Sequence, residues 1–183
     1  METGLSLIQN NSNDCLIVAS HSQQAIEFSA VDHFWQGRMC NQFSLQLVHP
    51  LVASKTIAAA GQPKVIHQIR GDGNCFFRTI SFVITGSENY HQEVRALIVS
   101  HMSNIQDAVE SYCLDPGTTL EQYLENSQMS ICGTWATDVE IFVTAHLLAT
   151  DICCYSPSAT GFEMGHCWQN FFWKTFRCWV TNL

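Results

Sequence analysis

Apolar residues repeat with helical spacing through the middle of the chain. The first predicted helix is apolar on nearly all sides, at Phe76, Phe77, Ile80, Val83 and Ile84. Asn74 is a favoured N-cap residue for this helix, and Gly86 is suited to end it. A second helix is apolar on one side, at Tyr90, Val94, Leu97, Ile98 and Met102. The pattern therefore predicts a buried helix followed by an amphipathic one.

Further elements follow these two helices along the chain. A short third helix is predicted around Leu120, Tyr123 and Leu124. The segment "TDVE" at 137–140 has the form of a capping box and predicts a fourth helix. The segments "KVIHQI" and "DICCYS" are predicted to be short strands. Helices interleaved with a few strands indicate the α/β class, in an α/β or α+β sandwich.

The two ends of the chain differ in pattern from the middle. Residues 1–30 are polar and weakly patterned, so 1–64 is predicted to be an N-terminal extension that is partly flexible. Residues 65–183 are predicted to form the folded domain, with an atypical C-terminal tail. The tail is rich in aromatic residues without the alternation of a strand, at Trp168, Phe171, Phe172, Trp173, Phe176 and Trp179.

Composition excludes several classes of protein. A formal charge of −8 is unfavourable for contact with phosphates, so no nucleic-acid partner is expected. No apolar run is long enough to span a bilayer, and no membrane partner is expected. The N-terminus shows no signal peptide, which predicts a cytoplasmic or nuclear protein whose 9 cysteines are reduced by default. Cys153, Cys154, His166 and Cys167 are poorly spaced for zinc, and neither a metal nor a cofactor is expected.

The segment "GDGNC" at 71–75 carries the candidate chemistry. A cysteine in the first turn of a helix faces a partial positive charge, which favours the nucleophilic thiolate. Flexible glycines ahead of it can direct backbone N–H groups to one point, as an oxyanion hole requires. Cys75 is therefore a candidate nucleophile. The alternative is a tight turn that leads into a core helix, with Cys75 simply buried.

The segment "GDGNCFFRTIS" resembles the catalytic-cysteine signature of the ovarian-tumour (OTU) family of cysteine proteases. The segments "HQEVRALIVSHM" and "GTWATDVEIFVTAHLLATDICCYS" resemble the family helices and strand that follow. The resemblance implies a papain-like fold with a small sheet sandwiched between helices. It also implies hydrolysis of the bond after the C-terminal glycine of ubiquitin. Cys75 would be the nucleophile, Asp72 would shape the oxyanion loop, and Trp135 would lie either beside the cleft or in the core.

The general-base histidine of the family has no clear match. The family places it on the strand after the "ICCY"-type strand, before an aromatic residue, whereas His166 is followed by Cys167. His33 precedes the cysteine, which is the wrong order. The family strand that carries the histidine is hypothesised to be lost or replaced.

Two functions stay open from the sequence. One is a deubiquitinating thiol hydrolase that acts on ubiquitin or polyubiquitin chains. The other is a catalytically impaired OTU-like pseudoenzyme, or a fragment, that at most binds ubiquitin. The segment from Glu88 to Glu140 holds nine carboxylates and one basic residue, Arg95. Such a face could attract a ubiquitin-type partner, or it could be an ordinary solvated surface.

Overall fold

Strands and helices alternate along the chain in a mixed α/β order. The strands are β1 (Thr3–Gln9), β2 (Cys15–Ala19), β3 (Ser29–Ala30), β4 (Val65–Ile69), β5 (Asp151–Ser158) and β6 (Gly161–Trp168). The helices are α1 (His33–Phe43), α2 (Cys75–Thr85), α3 (His91–Asn104), α4 (Gln106–Tyr112), α5 (Leu120–Ser127) and α6 (Asp138–Leu148). The computed structural model describes residues 3–9, 15–19, 29–51, 65–158 and 161–168, with side chains at 31–51 and 66–155.

In the described part of the chain, six strands form one sheet in the order β4-β2-β1-β5-β6, with β3 beside β1. Strand β1 is parallel to β5 and antiparallel to β2, while β2 and β4 are antiparallel. The weakly patterned segment 1–30 predicts no strand, yet β1 and β2 lie in the centre of the sheet. The division of the chain at residue 64 stays a prediction.

The helix α2 begins and ends at the residues that the pattern predicts. Gly86 ends it in a left-handed conformation, with φ of 77°. The helix contacts β2 and β4 on one side and α1 and α3 on others, which explains why it is apolar nearly all round. The core contains side chains of α2, α3 and α6 that are at most 5% exposed, including Phe76, Phe77, Ile80, Ile84, Ile98, Met102 and Val143.

The capping box predicted at "TDVE" is present at the start of α6. The backbone N–H of Thr137 donates to Oε2 of Glu140 at 2.7 Å. The Glu140 side chain is fully buried, and its Oε1 accepts a 2.7 Å hydrogen bond from the Tyr123 hydroxyl on α5. Burial raises the pKa of Glu140. The cap therefore also fixes α5 against α6.

Helices α1 and α4 were not evident from the sequence pattern. In α1, the Gln36 amide donates to the Val83 carbonyl at 2.9 Å, and the Cys40 thiol donates to the Ile84 carbonyl at 3.4 Å. Both acceptors lie on α2. Contacts with α2, more than periodicity, stabilise α1, and a sequence pattern cannot reveal such contacts.

The chain continues after β5 into a further strand. Strand β6 pairs with β5 in antiparallel orientation, with a register shift between Cys154 and Tyr155. The lack of alternation after residue 161 predicts no strand, so β6 corrects that interpretation over 161–168. Residues 169–183 lie outside the described residues, so the hypothesis of a lost histidine-bearing strand stays a prediction.

The cysteines are in two chemical states. Cys153 on β5 is disulfide-bonded, so the expectation of reduced thiols is wrong for this residue. The cysteines that form no disulfide include Cys40, Cys75, Cys113, Cys132 and Cys154. Among the described residues, no helix is both long enough and apolar enough to cross a membrane.

Candidate active site

The loop 70–74 joins the end of β4 to the start of α2 and turns at Gly73. Gly73 has φ of 78°, a conformation that side chains other than glycine rarely adopt. A Cβ atom at this position would collide with the carbonyl oxygen of Gly133. Only glycine therefore allows the loop to lie against the segment 129–134.

Asp72 fixes the shape of this loop. Its Oδ1 accepts a hydrogen bond from the backbone N–H of Asn74 at 3.1 Å, which forms an Asx-type turn. Arg78 on α2 contacts both carboxylate oxygens, with Nη2 to Oδ2 at 2.6 Å and Nε to each oxygen at 3.1 Å. The hydrogen bond from Arg78 lowers the pKa of Asp72 to about 2. The side chain is thus ionised and bound to Arg78 at neutral pH.

The lowered pKa of Asp72 predicts a specific loss of stability in acid. The ion pair is fully formed above the ordinary pKa of about 4 and is lost as the pH falls through about 2. The pair is partly exposed, so we expect it to contribute only about 1 kcal/mol. Asp72→Asn should remove this contribution, and unfolding by denaturant at pH 6, 4 and 2.5 measures it.

Arg78→Met removes the same ion pair from the other side and is the matched control. Both variants should be less stable than the wild type at pH 6, and the difference should shrink at pH 2.5. If each variant differed from the wild type by the same free energy of unfolding at all three pH values, the lowered pKa of Asp72 would not be due to this ion pair.

Cys75 is the first residue of α2 and lies directly after the loop. Its side chain is 4% exposed and packs against Ile69 of β4 and Phe82 of α2. The position at the helix N-terminus is the one that the sequence predicts. The small apolar cluster below it keeps the sulfur at a defined place at the end of β4.

The side chain of Asn74 connects the loop to the segment 129–134. Its Oδ1 accepts hydrogen bonds from the backbone N–H of Gly133 at 2.7 Å and from the Cys132 thiol at 3.3 Å. It also accepts one from Nη2 of Arg95 at 3.0 Å. Asn74 precedes α2, but its side chain makes no capping hydrogen bond. The prediction that Asn74 caps the helix is therefore wrong for the side chain.

Arg95 on α3 is a buried residue that sequence reasoning did not assign to the site. It is 3% exposed, and its guanidinium lies 3.8 Å from the centre of the Phe77 ring. Nη1 donates to the Met129 carbonyl at 2.8 Å, and Nη2 donates to the Thr134 carbonyl at 2.7 Å. The sequence does offer one signal for this role, because Arg95 is the single basic residue in a predicted amphipathic helix. From the sequence alone it is instead treated as part of an acidic surface.

The segment 129–135 presents exposed groups next to the loop. Trp135 is predicted to lie either beside the cleft or in the core. It is 41% exposed, which excludes the core. Cys132 is also exposed and lines a cavity of about 540 Å³ together with Gln92 and Arg95. Two residues that line this cavity, Arg95 and Cys132, also contact Asn74.

Several histidines can be placed with their side chains. His33 is exposed at the start of α1, as expected for a surface residue. His91 and His101 lie on α3, and His146 lies on α6. His101 Nε2 and His146 Nδ1 form a hydrogen bond of 2.9 Å, and burial lowers the pKa of both.

The sheet register places the backbone of His166 far from β4. One cross-strand row runs from β6 to β4 through His166, Cys154, Leu7, Ile17 and His67. Four strand spacings of about 4.8 Å separate the ends of this row by about 19 Å. Cys75 packs against Ile69, on the opposite edge of the sheet from β6. His166 lies on β6, the strand after β5.

No cluster of three or more metal-binding side chains occurs among the described residues. The side chains of His166 and Cys167, which were weighed as zinc ligands, lie outside them.

A sequence model of the family described as OTU-like cysteine protease matches residues 70–181, which is more than half of the chain. The chain belongs to the OTU family. Within this OTU domain, the match begins at the loop ahead of Cys75 and continues past β6.

Two relatives from Arabidopsis thaliana share the domain. OVARIAN TUMOR DOMAIN-containing deubiquitinating enzyme 7 is 29% identical over 140 residues, which is 75% of this chain and 33% of that protein. OVARIAN TUMOR DOMAIN-containing deubiquitinating enzyme 12 is 30% identical over 86 residues, which is 47% of this chain and 37% of that protein. The chain thus spans about a third of the length of these relatives.

Proposed function

We propose that this OTU domain hydrolyses the bond after the C-terminal glycine of ubiquitin, with Cys75 as the nucleophile. The observation that carries the proposal is the position of Cys75, at the start of α2 and after a loop held by Asp72 and Asn74. Membership of the OTU family supports ubiquitin, or chains of it, as the substrate, and both relatives are named as deubiquitinating enzymes.

The chemistry is acyl transfer through a thioester. The Cys75 sulfur attacks the carbonyl carbon of the terminal glycine, and the carbonyl oxygen takes up negative charge. Backbone N–H groups of the loop and of the first turn of α2 stabilise that charge. The C–N bond then breaks as the leaving amine takes the proton that the Cys75 thiol gave up. Water hydrolyses the thioester, which releases ubiquitin with a free C-terminal carboxyl group and restores the thiol.

Asp72 has a positioning role in this scheme. A pKa of about 2 means that its carboxylate carries no proton to donate near neutral pH. The hydrogen bonds to Arg78 and to the Asn74 backbone instead hold the loop in one shape.

A second candidate function is a catalytically impaired OTU domain that only binds ubiquitin. The observation that favours it is the strand order, which puts β6, the strand of His166, and β4, the strand before Cys75, on opposite edges of the sheet. A thiol protease needs a base to move the proton, and loss of that base costs several powers of ten in rate.

The test is ubiquitin that carries an electrophile at its C-terminus, with products identified by mass spectrometry. The first function predicts a covalent adduct on Cys75, together with release of ubiquitin from a chain. Cys132→Ala removes an exposed thiol and should leave the adduct unchanged, whereas Cys75→Ala should abolish it. Binding without an adduct or release would support the second function. A lack of both binding and adduct would reject both candidates.

A further inference from the structure

Cys153 on β5 takes part in a disulfide, and its side chain is fully buried. Five cysteines form no disulfide and are therefore excluded as its partner: Cys40, Cys75, Cys113, Cys132 and Cys154. The other three cysteines of the sequence are Cys15, Cys167 and Cys178. Cys178 lies outside the described residues, whereas the strand register gives the backbone positions of the other two.

Cys167 on β6 lies directly opposite Cys153 in the antiparallel pair of β5 and β6. Residues that are opposite each other in such a pair have Cα atoms about 4.5 to 5.5 Å apart. Disulfides usually join residues whose Cα atoms are about 4.4 to 6.8 Å apart. The backbone therefore holds these two cysteines at a separation that a disulfide bridges without any movement of the strands.

The backbone of Cys15 lies too far from Cys153 for a disulfide. Ser6 of β1 pairs with Cys153 on one side and with Val18 of β2 on the other. Cys15 precedes Val18 by three residues on β2. Two strand spacings and three residue rises place it about 14 Å from Cys153. Cα atoms more than about 7 Å apart are not bridged without backbone movement.

We propose that Cys153 and Cys167 form a disulfide that fastens β6 to β5, so that the redox state of this pair sets the stability of the β6 edge of the sheet. Among the described strands, β6 pairs with β5 alone. The link closes a loop of about 15 residues and restricts the unfolded chain. The strand that it fastens carries His166. The inference goes beyond the proposed function and does not depend on it.

The link forms by thiol–disulfide exchange with a small disulfide such as glutathione disulfide. One cysteine thiolate attacks a glutathione sulfur, which releases one glutathione thiolate and leaves a mixed disulfide on the protein. The second cysteine thiolate attacks the protein sulfur of the mixed disulfide and releases the other glutathione. The two cysteines lose two electrons and two protons, and one glutathione disulfide takes them up to become two molecules of glutathione.

The first experiment maps the disulfides of the full chain after equilibration with glutathione disulfide. Thiols are blocked with iodoacetamide in denaturant, a glutamate-specific protease cuts the chain after Glu163, and the peptides are identified by mass spectrometry without reduction. We expect two peptides joined through Cys153 and Cys167. Cys153→Ala should abolish this joined pair. Cys154→Ala is the matched control one residue away and should keep it, because Cys154 forms no disulfide.

The same map contains the results that would overturn the proposal. They are an alkylated Cys153 in the oxidised wild type, or a Cys153 joined to Cys15, to Cys178 or to a second copy of the chain. No ubiquitin is used, so the outcome is independent of whether the domain hydrolyses it.

The second experiment measures how much the link stabilises the domain. Thermal melting compares the oxidised chain with a chain reduced by dithiothreitol, and the disulfide map verifies both states. Loss of the link should lower the Tm of the wild type by about 6 to 12 °C. Cys154→Ala should show the same decrease. Cys153→Ala should melt at one temperature in both states.

Cys167→Ala removes the link from the other strand and guards against poor folding of Cys153→Ala. It should also melt at one temperature in both states. Equal Tm values for the oxidised and reduced wild type would overturn the fastening role. A decrease in either variant as large as that of the wild type would overturn it as well.

Discussion

Cys75→Ala is expected to lower the rate of ubiquitin release by about four powers of ten or more. Without the sulfur no thioester forms, and the remaining groups of an acyl-transfer site act poorly without their nucleophile. The side chain is 4% exposed, so alanine leaves a small cavity that should cost about 1 kcal/mol. Single-turnover hydrolysis of a ubiquitin chain, together with thermal melting, measures both effects.

Cys40→Ala is the matched control, because Cys40, like Cys75, is outside any disulfide and is 4% exposed. Its thiol donates to the Ile84 carbonyl within the α1 and α2 interface, away from the loop. This variant should lose comparable stability and keep its hydrolysis rate. Equal hydrolysis rates of Cys75→Ala and an active wild type would remove Cys75 from the reaction.

Gly73→Ala is expected to destabilise the domain by about 3 kcal/mol and to reduce hydrolysis at least about 100-fold. The left-handed φ of 78° costs a residue with a side chain about 1 kcal/mol or more. The collision with the Gly133 carbonyl adds a second cost, because a backbone atom must move. Displacing the loop also moves the groups around Cys75, and errors of about 1 Å have effects of this size. Denaturant unfolding and hydrolysis rates measure the two losses.

Gly117→Ala is the control that separates the cost of a left-handed φ from the cost of a steric collision. Gly117 has φ of 89°, but a Cβ atom there would meet nothing within 4 Å. This variant should lose about 1 kcal/mol and keep full activity. If Gly73→Ala cost no more than Gly117→Ala, the close approach of the two loops would have no energetic consequence.

The elements that sequence reasoning found are those with strong local signals. Helix α2 is bounded by Asn74 and Gly86, and α6 by the capping box at Thr137, as predicted. Strands β4 and β5 also lie where short apolar runs predict them. In each case a local cue, either a cap or an apolar run, decides the structure without help from distant residues.

The elements that sequence reasoning missed depend on contacts between distant parts of the chain. Strands β1 and β2 are short and lie in a polar segment, but both of their edges are paired in the sheet. Helix α1 is fixed by hydrogen bonds to α2, and β6 by its pairing with β5. Strand pairing joins residues that are distant in sequence, so a short stretch of sequence does not reveal how much it stabilises a strand.

By itself, the sequence determined the family and the position of Cys75 at the start of a helix, and it pointed to Asp72 as a residue that shapes the loop. These features follow from neighbouring residues, because caps, glycines and Asx-type turns act over a few positions. Only the tertiary structure decided that Asn74 binds Arg95 and Gly133 instead of its own helix, and that His166 lies on the far edge of the sheet. The physical reason is that hydrogen-bond partners and strand order are set by which distant segments pack together.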